Sequence, residues 1–438
     1  MVLAGTLALA PVAAAADATD AGDTAPGSTS STTLGGTPAA TSNNPAEPTP
    51  LTAGLWSNTL SGPGAPKANA HQYSYARRIE NSTVLVSVTG VSEETSSDTI
   101  QVVAATSAGD ACGSDAVGSD STTPGTAFGA IVLVASSTFG ETSPCQTAPV
   151  LAIEVNRSSS SLEGDLPYTL RIVEEAPVVS PEGDLPAYDG APVPVVPEPG
   201  EPEELSGAAS FEDAPTVGTG TYAGTVPEGT ERLYRVRLGW GQRFSVRVDL
   251  PPQDDLDSSP SVDLGTFDPM HNTFSGGVGD VDESGYYGSE GDTLYTGLPA
   301  VAYLARFDGA LAVTVPGDYF FSIVAQPAPD DREAVEIPVE VSVEVTGEPG
   351  PAPEFRRIVS APGGNEEAPA GYDPSTPYLV GDDELSAVVG DAPVAAEGGS
   401  GGGSSGDATR RTSGLVVGAL SLVSLAAGVV LLRRRRPA

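Results

Sequence analysis

Two short runs limit what this chain can fold into: FSVRVDL (residues 244–250) and PVEVSVEV (338–345). In the first, Phe244, Val246, Val248 and Leu250 alternate with Ser245, Arg247 and Asp249. In the second, Val339, Val341, Val343 and Val345 alternate with polar residues. A period of two, carried by β-branched residues, puts one apolar face on an extended strand; wound into a helix, it would scatter the same residues all round. Five more runs read as strands: TVLVSVT from Thr83, TIQVVAAT from Thr99, AIVLVASS from Ala130, PVLAIEV from Pro149 and YTLRIV from Tyr168. With turn residues between them, the expected class is all-β. The expected architecture is two tandem antiparallel β-sandwich domains joined by Pro-rich linkers, with one C-terminal transmembrane helix.

Composition places the boundaries. Residues 1–16, MVLAGTLALAPVAAAA, read as a signal peptide, truncated at its start because no basic residues precede the apolar stretch. Residues 17–50 are rich in Ser, Thr, Pro and Ala and read as a disordered arm. The sandwiches are expected at 51–175 and 207–346. A Pro/Glu-rich linker spans 176–206, and a disordered stalk ending in GGSGGGSSG spans 347–413. Residues 414–432 form the apolar span, whose uncharged stretch from Leu415 would reach roughly 27 Å as a helix, enough for a bilayer core. Arg433, Arg434, Arg435 and Arg436 follow, and the positive-inside rule puts the 433–438 tail in the cytoplasm. The expectation is a single-pass type I protein at the cell membrane, its ectodomain extracellular.

Charge narrows the partners. The chain carries 58 acidic and 20 basic residues, −38 in all. Six of the arginines lie at or beyond Arg410, so 14 basic residues face all 58 acidic ones upstream, a charge of −44. Such a surface repels nucleic acid, which is excluded as a partner. Cys112 and Cys145 are the two cysteines, and in an exported chain such a pair is expected to form a disulfide.

The two strand-rich segments read as diverged copies. GLWSNTL (54–60) matches GTYAGTV (220–226), and each precedes a strand, a polar turn and an alternating strand. The stretch GTYAGTVPEGTERLYRVRLGWGQRFSVRVDLP resembles the opening of pre-peptidase C-terminal-type β-sandwiches. It is especially similar to copies in actinobacterial surface proteins with a C-terminal membrane anchor. YLARFDG ahead of DYFFSIV fits that pattern, and GDACGSD with a later cysteine fits a cysteine-bearing variant. The resemblance implies an accessory or adhesive role rather than catalysis. Some relatives carry a metal-binding A domain beginning D-x-S-x-S, a string found here at Asp257, Ser259 and Ser261. It lacks the buried strand before it and the α/β domain after it.

Catalytic signals are weak. His71 and His271 fall in different segments, and the G-x-S-x-G string at Gly398–Gly402 lies in the glycine-serine stalk without the strand and helix that motif needs. GDVDESGYYGSEGD (279–292) begins like a calcium loop. Asp280, Asp282 and Ser284 would be ligands, with the Tyr286 carbonyl and a turn at Gly285. The twelfth position is Gly291 where a glutamate belongs, so an acidic loop between strands explains the stretch as well. Calcium is therefore the one cofactor with a candidate site. The N-x-S/T strings at Asn81 and Asn156 match glycosylation acceptors, though a turn explains Asn81 equally. The functional expectation is a non-catalytic cell-surface binding or adhesion protein, its partner a cell-envelope polymer or a secreted protein. Its functional surface is expected in the second sandwich, whose Pro251–Leu298 segment is long. The alternative is an accessory module aiding export or maturation of a secreted enzyme.

Overall fold

A computed structural model of the chain describes residues 31–62, 70–94, 96–119, 122–157, 164–180, 182–185, 188, 197–253, 261–274, 283–329, 332–348, 350, 352–355 and 378–379. The expected signal peptide at 1–16, the expected transmembrane span at 414–432, Arg433–Arg436 and the Gly398–Gly402 string lie outside the described residues. Among the described residues, no helix is long and apolar enough to cross a membrane.

The first sandwich contains β1 (Thr37–Pro38), β2 (Thr49–Leu51), β3 (Gly54–Leu60), β4 (Ala70–Ala76) and β5 (Thr83–Val91). It continues with β6 (Thr99–Thr106), β7 (Ala111–Gly118), β8 (Ala127–Val134), helix α1 (Pro144–Thr147), β9 (Val150–Arg157) and β10 (Leu166–Glu175). Its sheets run β1-β3-β10-β5-β8 and β2-β4-β9-β6-β7. The second contains β11 (Glu203–Glu204), β12 (Gly220–Pro227), β13 (Glu231–Leu238), β14 (Arg243–Leu250) and β15 (Ser261–Phe267). It ends with β16 (Ser284–Tyr286), β17 (Asp292–Gly297), β18 (Gly317–Ala325) and β19 (Glu336–Thr346). Its sheets run β11-β12-β19-β14-β17 and β13-β18-β15-β16.

The two orders correspond strand for strand, except that β2 has no counterpart strand in the second module. Even the short leading strands agree: β1 pairs parallel with β3, and β11 with β12. The likeness of GLWSNTL to GTYAGTV is thus a likeness of β3 to β12, which hold equivalent places. Alternation fills each core as expected. Phe244, Val246, Val248 and Leu250 meet Val339, Val341 and Val343 in one, while Val84, Val86 and Val88 meet Leu170, Ile172 and Ile153 in the other.

The half-buried pattern fails for the strands that matter most. Every residue of β5 and of β18 is buried, and so is all of β10 except Pro167. The cause is a second layer of packing. The outward residues of β5, β8 and β10 rest on the β13-β18-β15 sheet and the loop that follows β15. Leu85, Ile131 and Val173 pack on Met270 and Val315, and Val91 and Ala127 pack on Leu233, Phe267 and Phe320. Four sheets therefore stack face to face, and the two modules are docked rather than strung on a linker. The outermost sheets present Gln72, Gln101, Glu154 and Asn156 at one end and Arg247, Asp249, Glu340 and Glu344 at the other, all partly exposed.

Polar contacts register the junction. Ser87 Oγ donates to the Met270 carbonyl (2.6 Å), Thr89 Oγ1 to that of His271 (3.1 Å), and the Gly129 N–H to Thr273 Oγ1 (2.8 Å). Glu231, buried, accepts from Thr32 Oγ1 (2.6 Å) and the Ala127 N–H (2.9 Å). Gly129 shows how close the approach is, since a Cβ there would lie 2.2 Å from the His271 carbonyl oxygen. Gly129→Ala is expected to force the modules apart and cost about 1–3 kcal/mol, the usual range for overpacking. Chemical denaturation of the two proteins measures the difference.

Three segments expected to lie outside the sandwiches, as arm, linker and stalk, include stretches that pair with them. From the 17–50 arm, β1 and β2 lie on β3 and β4, and Thr33 bridges to Ser210 of the second sandwich. From the 176–206 linker, β11 joins β12, and the Gly200 N–H reaches Thr221 Oγ1 at 2.7 Å. From the 347–413 stalk, the Glu354 carbonyl accepts from Val179, and β20 (Tyr378–Leu379) pairs with the end of β10. Main-chain hydrogen bonds hold these pieces, and a main chain can pair without any apolar side-chain pattern to announce it.

Candidate binding site at the domain junction

The residues singled out in the sequence are scattered. Asp280 and Asp282 lie outside the described residues, as do Asp257 and Ser259. Ser284 opens β16, exposed, and Gly285 pairs with Val262 inside that strand rather than at a turn. Asp292 spends its carboxylate on the N–H groups of Tyr286 (3.0 Å) and Thr293 (2.8 Å). Among the described residues, no three His, Cys, Asp or Glu side chains are placed to hold a metal. The described part of the Pro251–Leu298 segment includes the loop from Asp268 to Thr273, which wedges between the modules. His71 lies buried in the first core with Nδ1 2.7 Å from the Tyr168 hydroxyl, and burial lowers its pKa. His271 stacks on Phe211 at the junction, ring centroids 3.8 Å apart.

Cys112 and Cys145 are bonded, with Cα atoms 5.4 Å apart. The bond ties β7 to the loop from Ala135 to Pro149, which carries α1. Ser143 caps that single turn by accepting the Gln146 N–H (3.2 Å), and Pro144 takes the first helical position. Arg77, buried, grips the same loop. It donates to the carbonyls of Cys145 (2.5 Å) and Ala148 (2.9 Å), and to the carbonyl of Ser82 (2.6 Å) on the neighbouring turn. Glu174, fully buried, braces that turn by accepting from the Arg78 and Ile79 N–H groups (3.0 and 2.9 Å) and Ser82 Oγ (2.6 Å). At its tip Asn81 is left-handed (φ 58°), which asparagine tolerates, and its carbonyl accepts Gln146 Nε2 at 3.0 Å. The sequence had read this position as a turn.

The second sandwich answers with a 3-10 turn, Tyr303–Phe307. Arg306 is 6% exposed, and its guanidinium lies 3.8 Å from the Tyr303 ring centre. It pairs with Glu175 at 2.5 Å and donates to the carbonyls of Tyr303 (3.1 Å) and Thr314 (2.9 Å). Burial pushes the Tyr303 phenol up to about 12, against the opposing pull of Arg306. Phe139, from the pinned loop, meets Tyr303 and Phe307 edge to face, at 6.5 and 5.7 Å. Pro177 to Ser180, leaving β10, form the third wall.

These three walls enclose a cleft of about 290 Å³. Its lining mixes the rings of Phe139 and Phe307 with the polar groups of Ser136, Thr138, Thr142, Ser180 and Gln146. The Arg306 charge is matched by Glu175, so the cleft offers no bare cation. The Gln146 carbonyl oxygen has no hydrogen-bond donor among the described residues. Such a lining can hold a small ligand through apolar contact and hydrogen bonds. A second, shallower hollow of about 750 Å³ lies on the outer face of the β12-β19-β14-β17 sheet, among Glu204, Asp249, Asp292 and Glu340.

Sequence reasoning did not find the cleft. YLARFDG sets an arginine among aromatics, but nothing in it pairs Arg306 with Glu175, 131 residues away. An arginine flanked by aromatics was the available signal. The disulfide is the firmest brace of the site. Replacing both cysteines by serine is expected to cost about 3–4 kcal/mol for a loop of this length. Hydrogen exchange should rise first in the Ala135–Pro149 loop, which mass spectrometry would resolve.

No protein-family model matches this chain, and no curated protein matches it. Among solved structures, it is similar to the N-terminal CBM22-1–CBM22-2 tandem domain of Xyn10C from Paenibacillus barcinonensis. That match has 13% identity over 67% of this chain and 87% of that one, with a TM-score of 0.18. The ANX2 ectodomain from Arabidopsis thaliana matches at 7% identity over 68% and 86%, TM-score 0.19. The CUB1-EGF-CUB2 domain of human MASP-1/3 matches at 11% over 66% and 99%, TM-score 0.16. Likeness at this level identifies no family.

Proposed function

We propose that this is a non-catalytic binding protein, displayed outside the cell on a C-terminal membrane anchor, that takes its ligand in the cleft between the docked sandwiches. The observation that carries this reading is the construction of the cleft. Residues from both modules and from the segment between them form its walls, and a disulfide, two buried arginines and two buried glutamates hold them. Much of that bracing stabilises the cleft walls themselves, which is what a preorganised ligand site requires. The disulfide and the apolar span followed by four arginines support the extracellular placement.

Purified full-length protein, held in detergent, should capture a component of a cell-envelope polymer or secreted-protein fraction. A Thr142→Trp variant, which fills the rim, should lose that capture while keeping its melting temperature. Equal capture by both proteins would remove the cleft from the reading.

A further inference from the structure

We infer that the cleft takes an uncharged sugar ring, the terminal or side-chain unit of a neutral glycan. The inference rests on the binding reading above and adds the chemical class of the ligand. Charge is the first argument. The chain as a whole carries a net charge of −38, and the arginine of the cleft lining, Arg306, is neutralised at 2.5 Å by Glu175. An acidic sugar, phosphate or carboxylate would meet repulsion with no cation to offset it. A cation fares little better, because the one unpaired carboxylate on the lining, Glu141, is exposed at the rim, where solvent screens it.

The lining is the second argument. Phe139 and Phe307 are half-buried and offer apolar surface to the C–H face of a ring. Around them stand hydroxyls of Ser136, Thr138 and Thr142. The Gln146 carbonyl oxygen lacks a donor, and an unmet buried acceptor is a standing cost that a ligand hydroxyl can relieve. A sugar ring supplies both an apolar face and many hydroxyl donors. Size agrees, since about 290 Å³ lies at the lower end for small-molecule sites and suits one or two rings.

The test screens the full-length protein against an array of neutral, acidic and amino-sugar glycans, with a peptide library alongside. Wild type, Phe139→Ala and Thr142→Trp are compared, after their melting curves show that each folds. The expected result is binding confined to neutral glycans, weakened at least tenfold in Phe139→Ala and abolished in Thr142→Trp. Preference for an acidic glycan, an amino sugar or a peptide that both variants lose would overturn the sugar class and leave the cleft reading standing. Glycan binding that neither variant disturbs would overturn both. Absence of neutral-glycan binding at millimolar concentration would overturn the inference.

Discussion

Glu175→Ala is expected to destabilise the protein by about 3–5 kcal/mol, the range for removing one member of a buried ion pair. Arg306 would then keep its charge at the junction, 1% exposed at the side chain, with carbonyl oxygens as its remaining named partners. The loss reflects that stranded charge more than the strength of the pair. Replacing both residues together, Glu175→Leu with Arg306→Met, is therefore expected to recover most of the stability. Urea denaturation of wild type, Glu175→Leu, Arg306→Met and the double variant as a double-mutant cycle, with Glu175→Ala alongside, measures this. Because Glu175 belongs to β10 and Arg306 to the second sandwich, the single variant should also split one unfolding transition into two. One undivided transition, with a loss under 1 kcal/mol, would show that the pair contributes little to docking.

Asp268→Asn should remove a pH dependence that the wild type shows. Asp268 is fully buried in the interdomain loop and accepts the N–H groups of Met270 (2.8 Å) and Asn272 (2.9 Å). Burial pushes its carboxyl from the ordinary 3.8 up to about 7, against the opposing pull of those amides and Arg171. The folded protein thus holds this proton more tightly than the unfolded chain. Its contribution is fully present below about pH 4 and is lost as pH rises through about 7. Moving the carboxyl from 3.8 to about 7 corresponds to about 4 kcal/mol. Asparagine keeps the acceptor for the two amides but has no proton to lose. The difference between wild type and variant should therefore change by a few kcal/mol between pH 4 and 8, read from urea midpoints. The difference is the informative quantity, because the large negative charge and Glu231, whose pKa burial also raises, give both proteins a background slope of the same sign.

The sequence pattern of each strand follows from what that strand touches. FSVRVDL and PVEVSVEV face one core and solvent, so their alternation is complete and their inward residues were named correctly. TVLVSVTGV and GDYFFSIVA face a core on one side and another sandwich on the other, and their near-continuous apolar runs record it. That signal was present but does not say what covers the second face. ACGSDAVG, which forms β7, has no apolar alternation at all and was missed. Main-chain pairing with β6 and the disulfide hold it in place.

The sequence by itself determined the all-β class, the doubled module and the disulfide partners, because strand period, self-similarity and a single cysteine pair are local or forced properties. The tertiary structure alone decided the docking of the modules and therefore the cleft. Glu175 and Arg306, Asp268 and Arg171, and Phe139 and Phe307 are each far apart along the chain, and no residue of any pair marks its partner. They meet because two buried sheet faces exclude water more favourably together than apart, and that choice belongs to surfaces rather than to residues.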